Sequence, residues 1–374
     1  MKKAICFILS AVLLGIFCLS SGALTPAPTI SAKSAILIDA ESLEVLYQKN
    51  AFTKLPMAST TKIMTALIAL ESGDVNRQVK IDPRALGTEG SSVYLEKDET
   101  LSMRELVYAL LLASANDAAV AIACEIAGSV EDFAVMMNQK AAELGLLSTH
   151  FVTPHGLHHE DHYTTAYDLS RLTAEALKNN LFLEICSSKS AAITVDRNKG
   201  TRYLSNHNKL LRSYEGCIGV KTGYTKASGR CLVSAAERDG LRLIAVTLNA
   251  PDDWRDHREL LDMGFENYTR RVIAEKGGFT KALPISAGKN DTLIVANATK
   301  MSALLPVEHG EITLVSEAVL PLVAPISRGD IIGRVVAYEN GKKIAESPLV
   351  ASFDVQRQKY KPEFFKKLKE LLGF

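Results

Sequence analysis

The sequence has almost no net charge: 43 basic against 42 acidic residues leave +1 over 374 residues. A chain so balanced carries no global field of the kind that binds nucleic acid or gathers an acidic polymer. Cysteine is sparse, six in all, and no spacing among them reads as a metal knuckle. Internal repeats and low-complexity tracts are missing. What remains is ordinary globular composition, 47% hydrophobic and 23% charged, with enough apolar residues for a sizeable core and enough length for two domains.

Long apolar runs are confined to the N-terminus. Lys2 and Lys3 precede Ala4 to Leu19, and Ser21-Gly22-Ala23 follows. A positive start, an apolar middle and small residues at a cut site predict a secretory signal over 1–23, and the run is short for a membrane span. Gly15-Ile16-Phe17 lacks the small-residue pattern expected before a lipid-modified Cys18. Cleavage after Ala23 leaves 41 basic against 42 acidic residues and four cysteines, Cys124, Cys186, Cys217 and Cys231. Export permits disulfides. A chain of this length can stand on its own core, so these cysteines are expected mostly buried and unpaired.

Thr25-Pro26-Ala27-Pro28 lies in a linker over 24–32. Strands are expected at Ala35–Asp39 and Glu44–Tyr47. A helix follows from Ser59 to Glu71, apolar on most sides and therefore buried. Ser102 with Glu105 is a capping box opening a second helix. Further helical periods cover 117–127, 130–144 and 166–178. Past residue 200 the pattern turns to strands: Cys231–Arg238 and Leu241–Leu248 flank the hairpin signal Asp239-Gly240. Leu260 to Tyr268 is helical again. From Arg271 to Ser352 only short strands appear, with Asn340-Gly341 as another hairpin, which predicts a separate β-domain of sandwich type.

Three short patterns carry chemistry together. In Ser59-x-x-Lys62 the two residues share a helix face, so the amine can reach the hydroxyl. A lysine takes a serine proton only if desolvation or a nearby cation lowers its pKa. Ser114-Ala115-Asn116 follows an apolar helix and can point a hydroxyl and an amide into one cleft. Lys221-Thr222-Gly223 places a cation and a hydroxyl on an edge strand, fit for a carboxylate, with a glycine that admits a close backbone. Each alone is weak. Their order and context match the pattern of β-lactamases and penicillin-binding proteins.

With these motifs the chain resembles the D-alanyl-D-alanine carboxypeptidases, low-molecular-mass penicillin-binding proteins of serine peptidase type S11. The resemblance runs through residues 55–66, 112–119, 153–166 and 219–225, and extends to the β-rich segment after Arg271. It implies an α+β fold: a penicillin-binding/β-lactamase-like catalytic domain of helices and antiparallel sheet over 33–270, then a small all-β sandwich over 271–352. It implies Ser59, Lys62 and Ser114 as catalytic residues and Asn116, Lys221, Thr222, Gly223 and Tyr224 as substrate-binding ones. Ser59 would attack a stem peptide of peptidoglycan between its terminal D-alanines, with Lys62 as base. Backbone N–H groups of Ser59 and Tyr224 would hold the oxyanion. Ser114 would pass a proton to the leaving amine, Asn116 would hold the acyl-side amide, and Lys221 with Thr222 would grip the carboxylate. No cofactor is implied, and β-lactam antibiotics should acylate Ser59. Cross-link endopeptidase, β-lactamase and a non-catalytic wall-binding protein are the alternative functions. Asn206-His207-Asn208 stands where some members carry an arginine that assists carboxylate binding.

Two other features invite function. His155, His158, His159 and His162 crowd one segment, but Pro154 and Gly156 argue for an irregular loop and no zinc-helix spacing is present. Glu160, in the same segment, could suggest a lactamase base, yet its neighbours look like the carboxypeptidase. In the tail over 353–374, Phe364, Phe365, Leu368, Leu371 and Leu372 form one stripe with Lys366, Lys367 and Lys369 off it. A basic amphipathic helix reads as membrane-surface binding, on the outer face of the cytoplasmic membrane for an exported chain.

Overall fold

The structure is a computed structural model that describes residues 27–194, 200–358, 367 and 369–373. The expected signal at 1–23 and much of the tail stripe, Phe364, Phe365 and Leu368, lie outside the described residues.

Eight described helices follow in chain order: α1 (Lys62–Glu71), α2 (Met103–Leu112), α3 (Asn116–Ala127), α4 (Val130–Glu143), α5 (Ala166–Ala176), α6 (Asn180–Ser187), α7 (Leu210–Ser213) and α8 (Asp253–Asn267). A five-stranded antiparallel sheet runs in the order Val45–Lys49, Ser34–Asp39, Leu241–Leu248, Gly229–Arg238, Cys217–Thr225, so the last strand is an edge. Its two faces separate by the period of two. Ile36, Ile38, Ile244 and Val246 pack into the cluster around α1. Ala35, Leu37, Leu243 and Ala245 pack with Leu260 and Leu261 of α8 on the opposite side. Helix α1 is buried from Lys62 to Leu70, as an all-round apolar segment must be.

Local signals explain the boundaries. Ser102 and Glu105 close a full capping box at α2, while Ser129 and Thr165 cap α4 and α5 through their side chains. Asp239 and Gly240, at φ 49° and 78°, link Arg238 to Leu241 as the hairpin signal predicts. Asn340 and Gly341 do the same between Glu339 and Lys342.

Some elements escape the sequence pattern. Helix α8 begins at Asp253 instead of Leu260, because its first turns bury Asp253, Asp256 and His257, polar residues that apolar periodicity passes over. Asp256 accepts from the Ser31 and Ala32 N–H groups and the Ser31 hydroxyl. Helix α6, capped by Asn179, and the hairpin Ser190–Thr194/Thr201–Ser205 are likewise found only in the structure.

Beyond α8, the strand Tyr268–Ala274 pairs with Met301–Pro306 as a ribbon. It faces a six-stranded sheet. Met301 of the ribbon joins Leu293, Val335, Ala337 and Leu349 of the sheet in one core, giving the two-layered all-β unit. Arg270 of the ribbon forms a buried ion pair with Asp39 of the first sheet. The cysteines Cys124, Cys186 and Cys231 are buried, Cys217 is half-buried, and all four are unpaired.

Candidate active site

Ser59 sits on a 3-10 turn, Ala58–Thr61, that leads into α1. Ala58 adopts φ 48°, a left-handed conformation costing a non-glycine residue about 1 kcal/mol or more. The surroundings hold it. Thr61 Oγ1 donates to the Ala58 carbonyl at 2.7 Å, and Thr60 Oγ1 donates to that of Met57 at 2.6 Å. His162 Nδ1 accepts from the Val152 N–H at 2.9 Å, which leaves Nε2 to donate to Thr61 Oγ1 at 2.7 Å. Burial pushes the His162 ring down to about 3, so it stays neutral. Gly156, at φ 87°, lies against the Ala58 carbonyl where any Cβ would collide.

Lys62, the first residue of α1, is fully buried, which is rare for a lysine. Its Nζ lies 2.9 Å from Ser59 Oγ, 2.7 Å from Asn116 Oδ1 and 2.7 Å from the His155 carbonyl. Burial drives its pKa well below the ordinary lysine value, the charge of Lys221 lowers it further, and Asp117 opposes both. Burial is therefore the larger cause and the second lysine the smaller.

Ser114 comes from the short link between α2 and α3, and Asn116 is the first residue of α3. Ser114 takes φ 58° and is almost buried. Asn116 is fixed on three sides: its N–H donates to Ser91 O at 2.7 Å, its Nδ2 to Glu89 O at 2.5 Å, and its Oδ1 faces Lys62. Asp117, also buried, accepts from Ser92 Oγ at 2.6 Å and from the Leu95 N–H at 3.0 Å. That ties the 91–95 segment, whose Ser91 lines the cleft, to the start of α3.

The edge strand Cys217–Thr225 supplies the opposite wall. Lys221 and Gly223 pair with the buried Val233 and Cys231 and so face α1. Thr222 and Tyr224 alternate outward. A Cβ on Gly223 would sit 3.0 Å from Ser59 N and 3.1 Å from Ala58 Cβ. The close approach this glycine permits is thus between its own strand and the nucleophile turn. Lys221 is buried, its Nζ donates to the Thr222 carbonyl at 2.8 Å, and burial lowers its pKa to about 7.

Ser59, Ser114, Thr222, Gly223, Tyr224 and His207 all line one cleft of about 300 Å3. Lys62 and Lys221 lie buried behind this surface, and Asn116 nearly so. Every residue singled out by the three motifs therefore meets in one place. His207 has a pKa lowered by burial and by Lys221, so near neutrality it lacks the charge an arginine would bring to that position. Glu160 is exposed and is not among the cleft-lining residues. His155 and His162 are buried polar members of the site's support, whereas His158 and His159 are exposed. Among the described residues no three acidic, histidine or cysteine side chains gather to hold a metal ion.

Sequence reasoning overlooked the Thr61–His162 pair, the His155 carbonyl and Asp117. The available signal was their place within the quoted stretches: Asp117 directly follows Asn116, and both histidines flank the turn-forming Gly156.

Residues 22–252 match the D-alanyl-D-alanine carboxypeptidase family, and residues 268–357 match the C-terminal domain of penicillin-binding protein 5. D-alanyl-D-alanine carboxypeptidase DacF of Bacillus subtilis is 32% identical over 336 residues, covering 87% of this chain and 86% of its own. DacC of Escherichia coli is 30% identical over 349 residues, covering 88% and 86%. The crystal structure of penicillin-binding protein 5 from Haemophilus influenzae superposes with a TM-score of 0.73 at 29% identity, over 88% of this chain and 99% of that one. With a site of this geometry and these relatives, the chain belongs to the D-alanyl-D-alanine carboxypeptidases of serine peptidase family S11.

Proposed function

We propose that Ser59 is the nucleophile of a D-alanyl-D-alanine carboxypeptidase acting on peptidoglycan stem peptides, with Lys62 as its base. The observation that carries this is the arrangement at Lys62 Nζ. A neutral amine has two N–H groups and one lone pair. Asn116 Oδ1 and the His155 carbonyl accept the two N–H groups, which turns the lone pair to Ser59 Oγ, 2.9 Å away. Burial, and after it the charge of Lys221, push this lysine well below its ordinary pKa and so toward the neutral form a base requires.

Ser59 Oγ attacks the carbonyl between the terminal D-alanines while its proton passes to Lys62. Backbone N–H groups of Ser59 and Tyr224 receive the oxyanion, and their strand and turn are in contact through Gly223. Ser114 delivers the proton to the departing amine. Thr222 and the cation of Lys221 hold the terminal carboxylate, and Asn116 holds the acyl-side amide. D-alanine leaves, water attacks the ester on Ser59, and the shortened peptide is released. A β-lactam presents a carboxylate beside a strained amide and acylates the same oxygen.

The test is D-alanine release from a synthetic pentapeptide, alongside labelling by a fluorescent penicillin, with Ser59→Ala as control. Release and label that both vanish in the variant support the reading. An intact protein that neither releases D-alanine nor takes label overturns it.

Export and attachment to the membrane surface belong to the same reading. Their support is the N-terminal signal pattern and the tail stripe, of which Leu371 and Leu372 are exposed. Among the described residues no helix is long and apolar enough to cross a membrane.

A further inference from the structure

Loops that run over a protein surface are ordinarily polar. The connection between the strands Ile312–Ala318 and Ile331–Glu339 of the β-domain departs from this. From Val319 to Ile326, eight consecutive residues carry no polar side chain. Only part of the run serves the core: Leu322 and Ala324 are buried in it, and Ile326 packs against it. Val319, Leu320 and Val323 stay in solvent, 76%, 56% and 53% exposed. Ile331, 73% exposed, stands with them, because the Val319 N–H donates to the Ile332 carbonyl at 3.1 Å. Single exposed aliphatics are ordinary on a surface, but four on one loop and its neighbour mark a binding surface.

The chain leaves the β-domain at the same end. Val323 pairs with Ser286, and the Ala324 N–H donates to the Ser286 carbonyl at 2.9 Å. On the next residue, the Ala287 carbonyl accepts from the Gln358 N–H at 2.8 Å, and Arg357 bridges to Gly288. Two strand spacings of about 4.8 Å and one chain step of about 3.8 Å put Val323 and Gln358 within about 14 Å. Phe364, which opens the apolar stripe of the tail, follows Gln358 by six residues. Even fully extended, that stretch spans only about 20 Å.

Resting on the reading that the tail lies on a membrane surface, we propose that the loop over 319–323 enters the same membrane. Lipid is then held at two points, the tail stripe and the end of the β-domain. The short reach from Gln358 to Phe364 keeps this end of the domain close to whatever surface the tail occupies. The loop suits acyl chains better than a protein partner. A protein interface ordinarily carries a polar rim and hydrogen bonds, and no side chain between Val319 and Ile326 can supply them. Moving Leu320 and Val323 from water into the acyl boundary favours attachment. The loop is too small to hold the protein on lipid by itself, but once the tail is bound its contact is intramolecular and prolongs residence.

The experiment uses residues 24–374, without the apolar N-terminal segment, and vesicles of equal parts phosphatidylglycerol and phosphatidylcholine. Sedimentation measures the vesicle affinity of the parent and of Leu320→Ser/Val323→Ser, with folding checked by thermal melting. The double variant should bind about tenfold more weakly, with its melting temperature unchanged because both side chains are exposed. Leu320→Trp reports the contact itself. Lipids brominated in their acyl chains should quench its fluorescence beyond the level seen in the parent, whose one tryptophan is Trp254. A double variant that binds as tightly as a binding parent, or a Leu320→Trp emission that bromine leaves at the parent level, overturns the loop contact and leaves the tail reading standing. A parent that does not sediment overturns the tail reading and the loop contact with it.

Discussion

Lys62 Nζ and Ser59 Oγ lie 2.9 Å apart inside a helix turn where the lysine has no exposure to water. Both other partners of that nitrogen are acceptors, so once burial and the charge of Lys221 favour loss of its proton, the lone pair is left facing Ser59. Replacing Lys62 by alanine should lower penicillin acylation by about a thousandfold, within the range for a general base with its positioning. Stopped-flow labelling with a fluorescent penicillin checks it. Acylation within tenfold of the parent would remove Lys62 from the mechanism.

Lys221 adds a pH dependence of opposite sense. Its folded pKa is about 7, lowered by burial, so the ammonium that would hold the substrate carboxylate is present below that pH and lost above it. Lys62 must be neutral, so activity falls on the acid side as it gains a proton. The profile of kcat/KM should be bell-shaped, its alkaline limb near pH 7. In Lys221→Arg, where the cation persists, that limb should move well upward. An alkaline limb unmoved by the arginine would assign it to another group.

Gly223 is a steric test of the same wall. Its Cβ in Gly223→Ala would stand 3.0 Å from Ser59 N, and the strand or the turn must give way by a few tenths of an ångström. A roughly 100-fold loss in acylation is expected from so small a displacement of the oxyanion donors. The melting temperature should change far less than in a core cavity variant. Unchanged acylation would show that the wall yields without cost.

Acid should destabilise the fold through its buried rings. His257 is fully buried between Ser234 and Thr247 with its pKa lowered to about 3, and His162 and His155 are lowered to about 3 and about 4. An unfolded histidine titrates near 6.5. Between these values the unfolded chain binds more protons, so stability is full above pH 6.5 and falls toward pH 4, by about 1 kcal/mol per pH unit for each ring. Denaturant titrations at neutral and mildly acidic pH measure the slope, and His257→Gln should reduce it. An equal slope in that variant would exclude His257 as a contributor.

The membrane reading predicts that the full chain sediments with anionic vesicles and that a chain ending at Gln358 stays in solution. That end point keeps Val355 and Arg357, which bridge to Ile326 and Gly288 and finish the β-domain. Equal sedimentation of both forms would reject the tail as the anchor.

Much of this protein was legible along the chain. Helix α1 and the two hairpins follow from patterns of a few residues, because periodicity and turn chemistry act over such distances. The nucleophile, its lysine, Ser114, Asn116 and Lys221 follow from short motifs with constrained spacing. The start of α8 was not legible, since Asp256 and His257 are buried polar residues whose partners, Ser31, Ser234 and Thr247, are distant in sequence or on other strands.

The sequence by itself determined which side chains carry the chemistry and the elements on which they ride. Only the tertiary structure decided their state. Lysine acidity depends on the removal of water and on Asn116 and His155, residues 54 and 93 positions away from Lys62. The pose of Ser59 depends on His162 and Gly156 closing over Ala58. Such effects arise from burial and contact across the chain, quantities that exist only once the segments are packed together.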